Sequence, residues 1–521
     1  MPKRAPAEIN LDDRSLFLNR ELSWLAFNER VLDQGRDPRW PLLERLKFVS
    51  IFASNLDEFF MIRVSGLHEQ LEADVTVVGA DGLTPLEQLV KIREIVQRHV
   101  AEAYRLLWRD LLPALAERRI HLRRFDELGP AQQTWARAYF RQGVFPVLTP
   151  LAVDPVHPFP FLSNLSLSLA VEAEVPGTSE RRFARVKVPE SLPRFVQIGD
   201  TPSTRTATAG AEPTLDFLPL EELIAANLAD LFPGMTILGW YPFRVTRDMD
   251  IEILEEEASD LLDIVDREVR LRRFGAAVRL EVAPGVPEHI RALLLEKLAI
   301  EDDDLYEAPA PLLGLSAFFT LSQLSRPDLR DPPLAQRTPL PTAEQPDIFA
   351  AIRAGDVLLH HPYDSFGPVL EFLRTAAEDP QVLAIKMTLY RAGANSEAVR
   401  SLIRAAENGK QIAVSIELKA RFDEANNIGW ARALERAGVH VFYGAAGLKT
   451  HAKVLLVVRR EGSDLRRYVH LSTGNYNAGT AKLYTDVGLF TADPALGEDA
   501  SDLFNALSGF SRKPSYRKLA V

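Results

Sequence analysis

His451 and Lys453 stand two residues apart in the segment Thr450-His451-Ala452-Lys453, where an apolar run from Ala452 to Val458 begins. At the period of a β-strand that spacing sets both side chains on one face. An imidazole nitrogen so placed can attack phosphorus in line, while the ammonium neutralises charge on the phosphoryl oxygens. Farther along, Val469-His-Leu-Ser-Thr473-Gly474-Asn475-Tyr-Asn477 is a second strand candidate running into a polar turn, whose amide side chains can fix phosphate oxygens. Cationic groups gather upstream. Tyr390-Arg391 follows one apolar run, and Glu417-Leu-Lys419-Ala-Arg421-Phe-Asp423-Glu424 follows another. Guanidinium grips phosphate oxygens in a bidentate way. Each feature alone has a plainer reading: a surface salt-bridge cluster for Lys419, Arg421 and Asp423, and a structural histidine at a strand start. Together, in one α/β frame, they point to phosphoryl chemistry.

The elements that must position these groups are legible on both sides of a proline-rich stretch. After residue 336, Val382 to Leu389 has the pattern of a strand, and Ser396 to Asn408 that of a helix with Gly409 at its end. Ile412 to Leu418 is the next strand, followed by a helix through Ala437 closed by Gly438, then Val439 to Tyr443 and Ala452 to Val458. Strand–helix alternation with helix-ending glycines predicts an α/β layer, and ligands of such layers bind beyond the carboxyl ends of the strands. Pro327, Pro332, Pro333, Pro339, Pro341 and Pro346 precede it and predict a linker or extended crossing segment, with a boundary near 335.

Upstream, residues 1–120 are expected to form a helical N-terminal domain. Pro85-Leu-Glu-Gln-Leu-Val-Lys-Ile-Arg-Glu-Ile-Val, for example, places apolar groups at three- and four-residue intervals. Residues 121–335 form a mixed α+β middle domain. There Ser166 to Val175, Phe183 to Val188 and Ala277 to Val282 alternate as half-buried antiparallel strands do, a short helix starts at Pro287, and the Thr-, Ala-, Gly- and Pro-rich residues 196–213 predict a mobile surface loop.

Composition bounds the rest. The chain has 521 residues, enough for about three domains, with 46% hydrophobic and 26% charged residues. No apolar run is long enough to span a membrane and no secretory signal opens the chain, so cytoplasm is the expected compartment. Cysteine is absent, which excludes disulfides, thiolate metal sites and a cysteine nucleophile. The net charge of −11 argues against the whole chain being a polyanion-binding surface. Yet residues 381–460 hold 13 Lys and Arg against 6 Asp and Glu, a local excess of cations that fits solvated helix faces or, beside a motif, an anion site.

His451-Ala-Lys453 followed by Ser472-Thr-Gly-Asn475 resembles one half of a phospholipase D-type active site, with Val458 where that pattern has an aspartate. The wider text resembles the bacterial polyphosphate kinase family. Phe17-Leu-Asn-Arg-Glu-Leu-Ser-Trp-Leu-Ala-Phe-Asn28, Ser54-Asn55-Leu-Asp-Glu-Phe-Phe-Met-Ile-Arg-Val64, Phe243-Arg-Val-Thr-Arg-Asp248, Leu358-Leu-His-His-Pro-Tyr-Asp-Ser-Phe366, Leu418-Lys-Ala-Arg-Phe-Asp-Glu424, Gly474-Asn-Tyr-Asn477 and Leu483-Tyr484-Thr-Asp486 run in family order. The resemblance implies a multidomain α+β enzyme with a phospholipase D-like α/β domain over 336–521. It would move the terminal phosphate of ATP reversibly onto inorganic polyphosphate, with Mg2+. By the same resemblance His451 becomes phosphorylated with Lys453 and Asn475 beside it, Asn55 and Tyr484 contact the nucleotide, and Arg391 and Arg421 fall at the magnesium–phosphate positions. Arginine has no lone pair for a metal, so both are expected to grip phosphate beside the ion. A homo-oligomer is implied, no nucleic-acid partner is, and peripheral membrane association is allowed.

Plainer roles stay open: a helix N-cap for Asn55, which has Glu58 three residues on; a core aromatic for Tyr484; packing for His360 and His361. The family's chains continue past a stretch like Ser515 to Val521 into a second histidine-bearing α/β domain. This sequence stops at Val521 and is therefore expected to present a half-site. Two rival readings follow: a non-catalytic subunit that binds polyphosphate, and a phospholipase D-like phosphodiesterase, which Val458 and the Asn55 segment disfavour.

Overall fold

A computed structural model of the chain describes residues 10, 12–75, 78–153, 159–177, 180–199, 213–250, 261–340, 347–444, 448–509, 511, 513 and 515–521. They fall into two compact units, one of residues 1–250 and 272–332, the other of residues 251–271 and 333–521. Most of the expected mobile stretch at 196–213 lies outside the described residues, as do Pro341 and Pro346. Among the described residues no helix is long and apolar enough to cross a membrane.

The first unit begins with long helices. Asn19 caps the helix Arg20–Arg36 by accepting from the backbone N–H groups of Glu21 and Leu22. Thr84 and Glu87 form a reciprocal capping box on the helix Pro85–Leu106, with Pro85 at the first helical position where its missing N–H is harmless. Leu32, Leu46, Val49, Ile92 and Val96 from these helices and from Leu42–Phe59 share one core. Asn55 lies inside Leu42–Phe59 and donates to Asn28 Oδ1 at 3.1 Å, so the N-cap reading is corrected: the apolar face of this helix begins well upstream, at Leu43.

Two sheets complete the unit. One runs β1 (Ile120–Leu122), β6 (Leu215–Pro219), β5 (Phe195–Gln197). The other has the order β2-β4-β3-β7-β8-β9, from β2 (Leu151–Val153), β3 (Leu167–Glu174), β4 (Arg181–Lys187), β7 (Thr236–Arg247), β8 (Ala277–Val282) and β9 (Leu305–Glu307), and is antiparallel except between β8 and β9. The alternation in Ser166–Val175 predicts a half-buried strand, but β3 is buried along nearly its whole length. Both of its faces are covered: Leu169 and Val171 join the helical core, and Ala170 packs with Phe243, Leu280 and Leu294.

A buried ion network ties the helices to this sheet. Asp57 accepts from Arg244 of β7 at 2.8 Å and 2.5 Å and from Arg279 of β8 at 2.5 Å, and Glu281 shares Arg244. The Arg279 guanidinium also lies 4.3 Å from the centroid of the Phe60 ring. Burial pushes the Asp57 carboxyl up, but the two guanidiniums outweigh it and hold the group below its ordinary value.

The second unit is an α/β domain on a seven-stranded sheet of order β10-β16-β15-β14-β11-β12-β13. Its strands are β10 (Val357–His361), β11 (Val382–Leu389), β12 (Gln411–Ile416), β13 (His440–Phe442), β14 (Lys453–Glu461), β15 (Asp464–Ser472) and β16 (Asp486–Thr491). Period two divides β14 between two cores. Leu455 and Val457 pack with Phe372, Leu402 and Ala431 of the helices Gly367–Glu378, Glu397–Glu407 and Glu424–Arg436. Val454 and Leu456 pack with Leu503 and Phe504 of the helix Pro494–Leu507. Gly409 and Gly438 follow their helices in the left-handed region, at φ 77° and 81°, as expected of helix-ending glycines.

Substituting Asp57→Ala leaves two buried guanidiniums without their carboxylate and is expected to destabilise the first unit by about 3–5 kcal/mol, read as a lower denaturant midpoint. Because the folded-state value of Asp57 is depressed, its contribution is present above about pH 4 and is lost as pH falls through that depressed value. The acid limb of the wild-type stability profile should therefore be steeper than that of Asp57→Asn.

Candidate functional site

β11 lies parallel to β12 and antiparallel to β14, and β14 is antiparallel to β15. The carboxyl ends of β11, β12 and β15 and the beginning of β14 therefore share one edge of the sheet. The regular β11–β14 ladder ends at Met387 and Leu455. Beyond it the Thr388 hydroxyl takes over, donating to the Ala452 carbonyl at 2.8 Å and accepting from the Val454 N–H at 2.9 Å. This fixes the residues on either side of Ala452, namely His451 and Lys453.

Tyr390, the first residue past β11, is the platform of the site. Its ring meets the His451 imidazole edge-on at 5.2 Å between centroids. The Lys453 ammonium lies 5.3 Å and the Arg391 guanidinium 5.7 Å from its centroid. β14 begins only at Lys453, so His451 precedes the strand; it is exposed, whereas Lys453 is buried. Lys453 donates to the His451 carbonyl, and Arg391 donates to the Arg421 carbonyl at 3.2 Å. Neither Lys453 nor Arg391 makes an ion pair among the described residues, so their charges are left for an anion.

Two buried residues hold this platform. Asn427, on the apolar face of the helix Glu424–Arg436, donates from Nδ2 to the carbonyls of Tyr390 at 2.7 Å and Glu417 at 2.9 Å, tying the ends of β11 and β12 together. The Glu417 carboxylate accepts from the N–H of Thr450 at 2.7 Å and of Lys419 at 3.0 Å, and so anchors the residue before His451. Between Arg421 and Asp423 the backbone of Phe422 sits in the left-handed region at φ 68°, a conformation an aromatic residue adopts only at a cost of about 1–3 kcal/mol and one that concentrates at functional sites.

The turn after β15 completes the edge. Ser472 pairs with Lys453 across the ladder. Thr473 donates to Asp486 at 2.8 Å, and Gly474 passes so close that a Cβ there would sit 2.5 Å from Asp486 Oδ2, which requires glycine. The Asn475 Oδ1 is buried and makes no hydrogen bond among the described residues, which leaves amide capacity for a ligand. Burial first, then the charges of Lys453 and Arg391, push the His451 imidazole below its ordinary value. Burial likewise lowers Lys453, against the pull of Asp486. The downward shift of His451 favours the neutral imidazole, the form whose ring nitrogen has a lone pair to give.

The structure gathers His451, Lys453, Arg391 and the Arg421 carbonyl, with Asn475 on the turn that follows the strand paired to Lys453. Tyr484 belongs to the same unit and is 61% exposed, which corrects the core-aromatic reading: it follows a short 3-10 turn, Thr480–Lys482, rather than a strand that would bury it. Asn55 belongs to the first unit. His361 is buried and hydrogen-bonds the Asp364 carbonyl through Nδ1 at 2.8 Å, as packing implies, though its Nε2 makes no hydrogen bond among the described residues. Among the described residues no group of three His, Asp or Glu side chains could cage a metal. A guanidinium has no lone pair for a metal, so Arg391 and Arg421 fit phosphate contacts rather than metal ligation.

Tyr390, Glu417 and Asn427 are the site residues that sequence patterning misses as such. The signals were present: an asparagine on the apolar stripe Asn427, Ile428, Ala431, Leu434, and a carboxylate directly after an apolar strand. Neither says which backbone groups the side chain will reach.

Comparison with known proteins bears on the whole chain. Family models described as the polyphosphate kinase N-terminal domain, middle domain and C-terminal domain 1 match residues 17–123, 131–321 and 347–513. The polyphosphate kinase of Thermosynechococcus vestitus is 50% identical over 545 residues, an alignment that takes in 100% of this chain and 74% of that protein. The polyphosphate kinase of Mycobacterium tuberculosis is 52% identical over 529 residues, with 100% of this chain and 71% of the relative covered. The crystal structure of polyphosphate kinase from Porphyromonas gingivalis superposes with a TM-score of 0.78 at 29% identity, covering 96% of this chain and 71% of that one.

An NMR titration of the His451 ring is expected to place its pKa below the ordinary histidine value of 6.5. Lys453→Met should move it upward, because one repelling charge is gone; an unchanged or lower value would contradict the arrangement. Asn427→Ala, which leaves two strand-end carbonyls without their donor, should cost about 1–3 kcal/mol in the second unit, measured by chemical denaturation.

Proposed function

This chain belongs to the polyphosphate kinase family, and on that premise we propose that His451 is the nucleophile of a reversible phosphoryl transfer between ATP and inorganic polyphosphate. A ring nitrogen of His451 attacks the γ-phosphorus. The bond from phosphorus to the oxygen bridging the β-phosphate breaks, and ADP leaves with that electron pair. A terminal phosphate oxygen of polyphosphate then attacks the phosphohistidine, the P–N bond breaks, and the pair returns to the imidazole. The chain of phosphates grows by one, and the same steps run backward make ATP.

The observation that carries this reading is the meeting of the His451 imidazole with Lys453 and Arg391 on the Tyr390 ring, at the carboxyl edge of the sheet, where burial and both charges favour the neutral ring. The imidazole supplies the lone pair. Among the described residues the two cations hydrogen-bond only to backbone carbonyls, so they can stabilise the charge that spreads over the phosphoryl oxygens in the transition state. Asn475, with its unsatisfied amide oxygen, and Arg421 are assigned to orienting the phosphates and the water or ion that accompanies them. Asn55 and Tyr484 are assigned to the nucleotide, the exposed Tyr484 ring offering a stacking face. The acceptor is already an anion, so no general base is required.

Incubation with γ-labelled ATP should leave acid-labile, base-stable label on the chain, and none on His451→Ala. Lys453→Met should slow labelling by about two to three orders of magnitude while the fold is kept. A chain that binds polyphosphate but takes no label would instead be a binding subunit. Hydrolysis of a phosphodiester without ATP would overturn both readings.

A further inference from the structure

The first unit contains a cavity of about 380 Å³, within the range of small-molecule sites, that the chemistry above does not use. Its lining includes Trp108, whose ring stacks on Tyr104 at 5.5 Å between centroids, together with Trp240, Pro113, Pro219 and Pro242. Trp108 is carried by a π-helical turn, Leu107–Leu111, that interrupts the run between the helices Pro85–Leu106 and Leu112–Glu117. The extra residue of such a turn rotates the side chains that follow, and turns of this kind are frequent at functional sites.

The charges along the cavity are almost all matched. Arg123 donates to Asp216 at 3.0 Å. Arg124 is paired with Asp126 at 2.5 Å and also approaches Glu127 at 3.8 Å. Glu221 accepts from both sides of the Arg194 guanidinium fork, at 2.7 Å from Nε and more closely from Nη2. Glu222 lines the same cavity, and its carboxylate makes no hydrogen bond and no ion pair among the described residues. Burial first and the neighbouring Glu221 charge second push its carboxyl above the usual range, against the weaker pull of Arg124, which is itself paired with Asp126. A half-buried carboxylate without a partner is a cost that a cation in the cavity removes. The cationic lining residues have their counter-charges already, so an anion finds nothing comparable.

We propose that this cavity is a binding site for an organic cation with an apolar body, an alkylamine in its ammonium form, held by Glu222 and by the faces of Trp108 and Trp240. The carboxylate supplies the charge-assisted hydrogen bond, the indoles supply cation–π attraction, and the prolines cover the alkyl chain without offering competing N–H donors. The site is independent of the His451 edge and stands whether or not that edge transfers phosphate.

Hexylammonium and its neutral counterpart hexanol are the probes, titrated into the full chain by calorimetry and by tryptophan fluorescence. Hexylammonium should bind saturably and at least about tenfold more tightly than hexanol. Glu222→Gln should bring the two to the same affinity by weakening hexylammonium alone, and Glu222→Asp should keep part of the preference. Relief of an unpartnered carboxylate should leave the Glu222→Gln melting temperature equal to or above that of the wild type. Equal binding of both probes to the wild-type chain, or no saturable binding of hexylammonium, overturns the proposal without reference to any variant. A lowered melting temperature in Glu222→Gln would show that the carboxylate is a structural partner and overturns it as well.

Discussion

The Thr388 hydroxyl, placed between the Ala452 carbonyl and the Val454 N–H, is the contact on which the candidate site depends. At that point the backbone ladder of β11 and β14 has already ended, and the two chains would otherwise diverge. One side chain with a donor and an acceptor continues the ladder for a further step. His451, just before the strand, and Lys453, its first residue, are thereby both held against the Tyr390 ring. Asn427 does the same for the neighbouring pair of strand ends, and Glu417 for the residue before His451. All three are buried or nearly so, where a hydrogen bond that is made holds firmly and one that is lost is expensive. The precision of an exposed histidine is thus supplied by polar groups beneath it.

The two units use charge in opposite ways. In the first, Arg244 and Arg279 are buried against Asp57 and Glu281, two cations against two carboxylates. Such a cluster knits helix to sheet with its charges balanced internally. At the edge of the second unit, Lys453 and Arg391 rest on an aromatic ring and on backbone carbonyls, which accept hydrogen bonds without neutralising charge. That difference separates a structural ion network from an anion site more clearly than the count of cations does.

Much of the fold was legible in the chain. Apolar spacing locates the helix Pro85–Leu106, glycines mark the ends of two helices in the second unit, and alternation finds β4 and β8. The burial of β3 was not legible, because alternation reports the chemistry of two faces and not what covers them. Nor was the exposure of Tyr484, since an aromatic side chain next to a leucine looks the same in a core and on a turn. The short strand β1 is invisible beside the helices because its partner, β6, lies far along the sequence.

The sequence by itself determined which chemical groups are available: an imidazole and an ammonium two residues apart, arginines after two apolar strands, amides after a third, and segments in the order of one family. Those are local facts, set by residue type and short spacing. Only the tertiary structure decided that strand β14 returns antiparallel beside β11, so that groups far apart in the chain surround Tyr390, and that Asn427 and Glu417 spend their hydrogen bonds on backbone rather than on a ligand. Hydrogen-bond partners and burial are properties of what the fold brings alongside a residue, and no spacing along one strand encodes them.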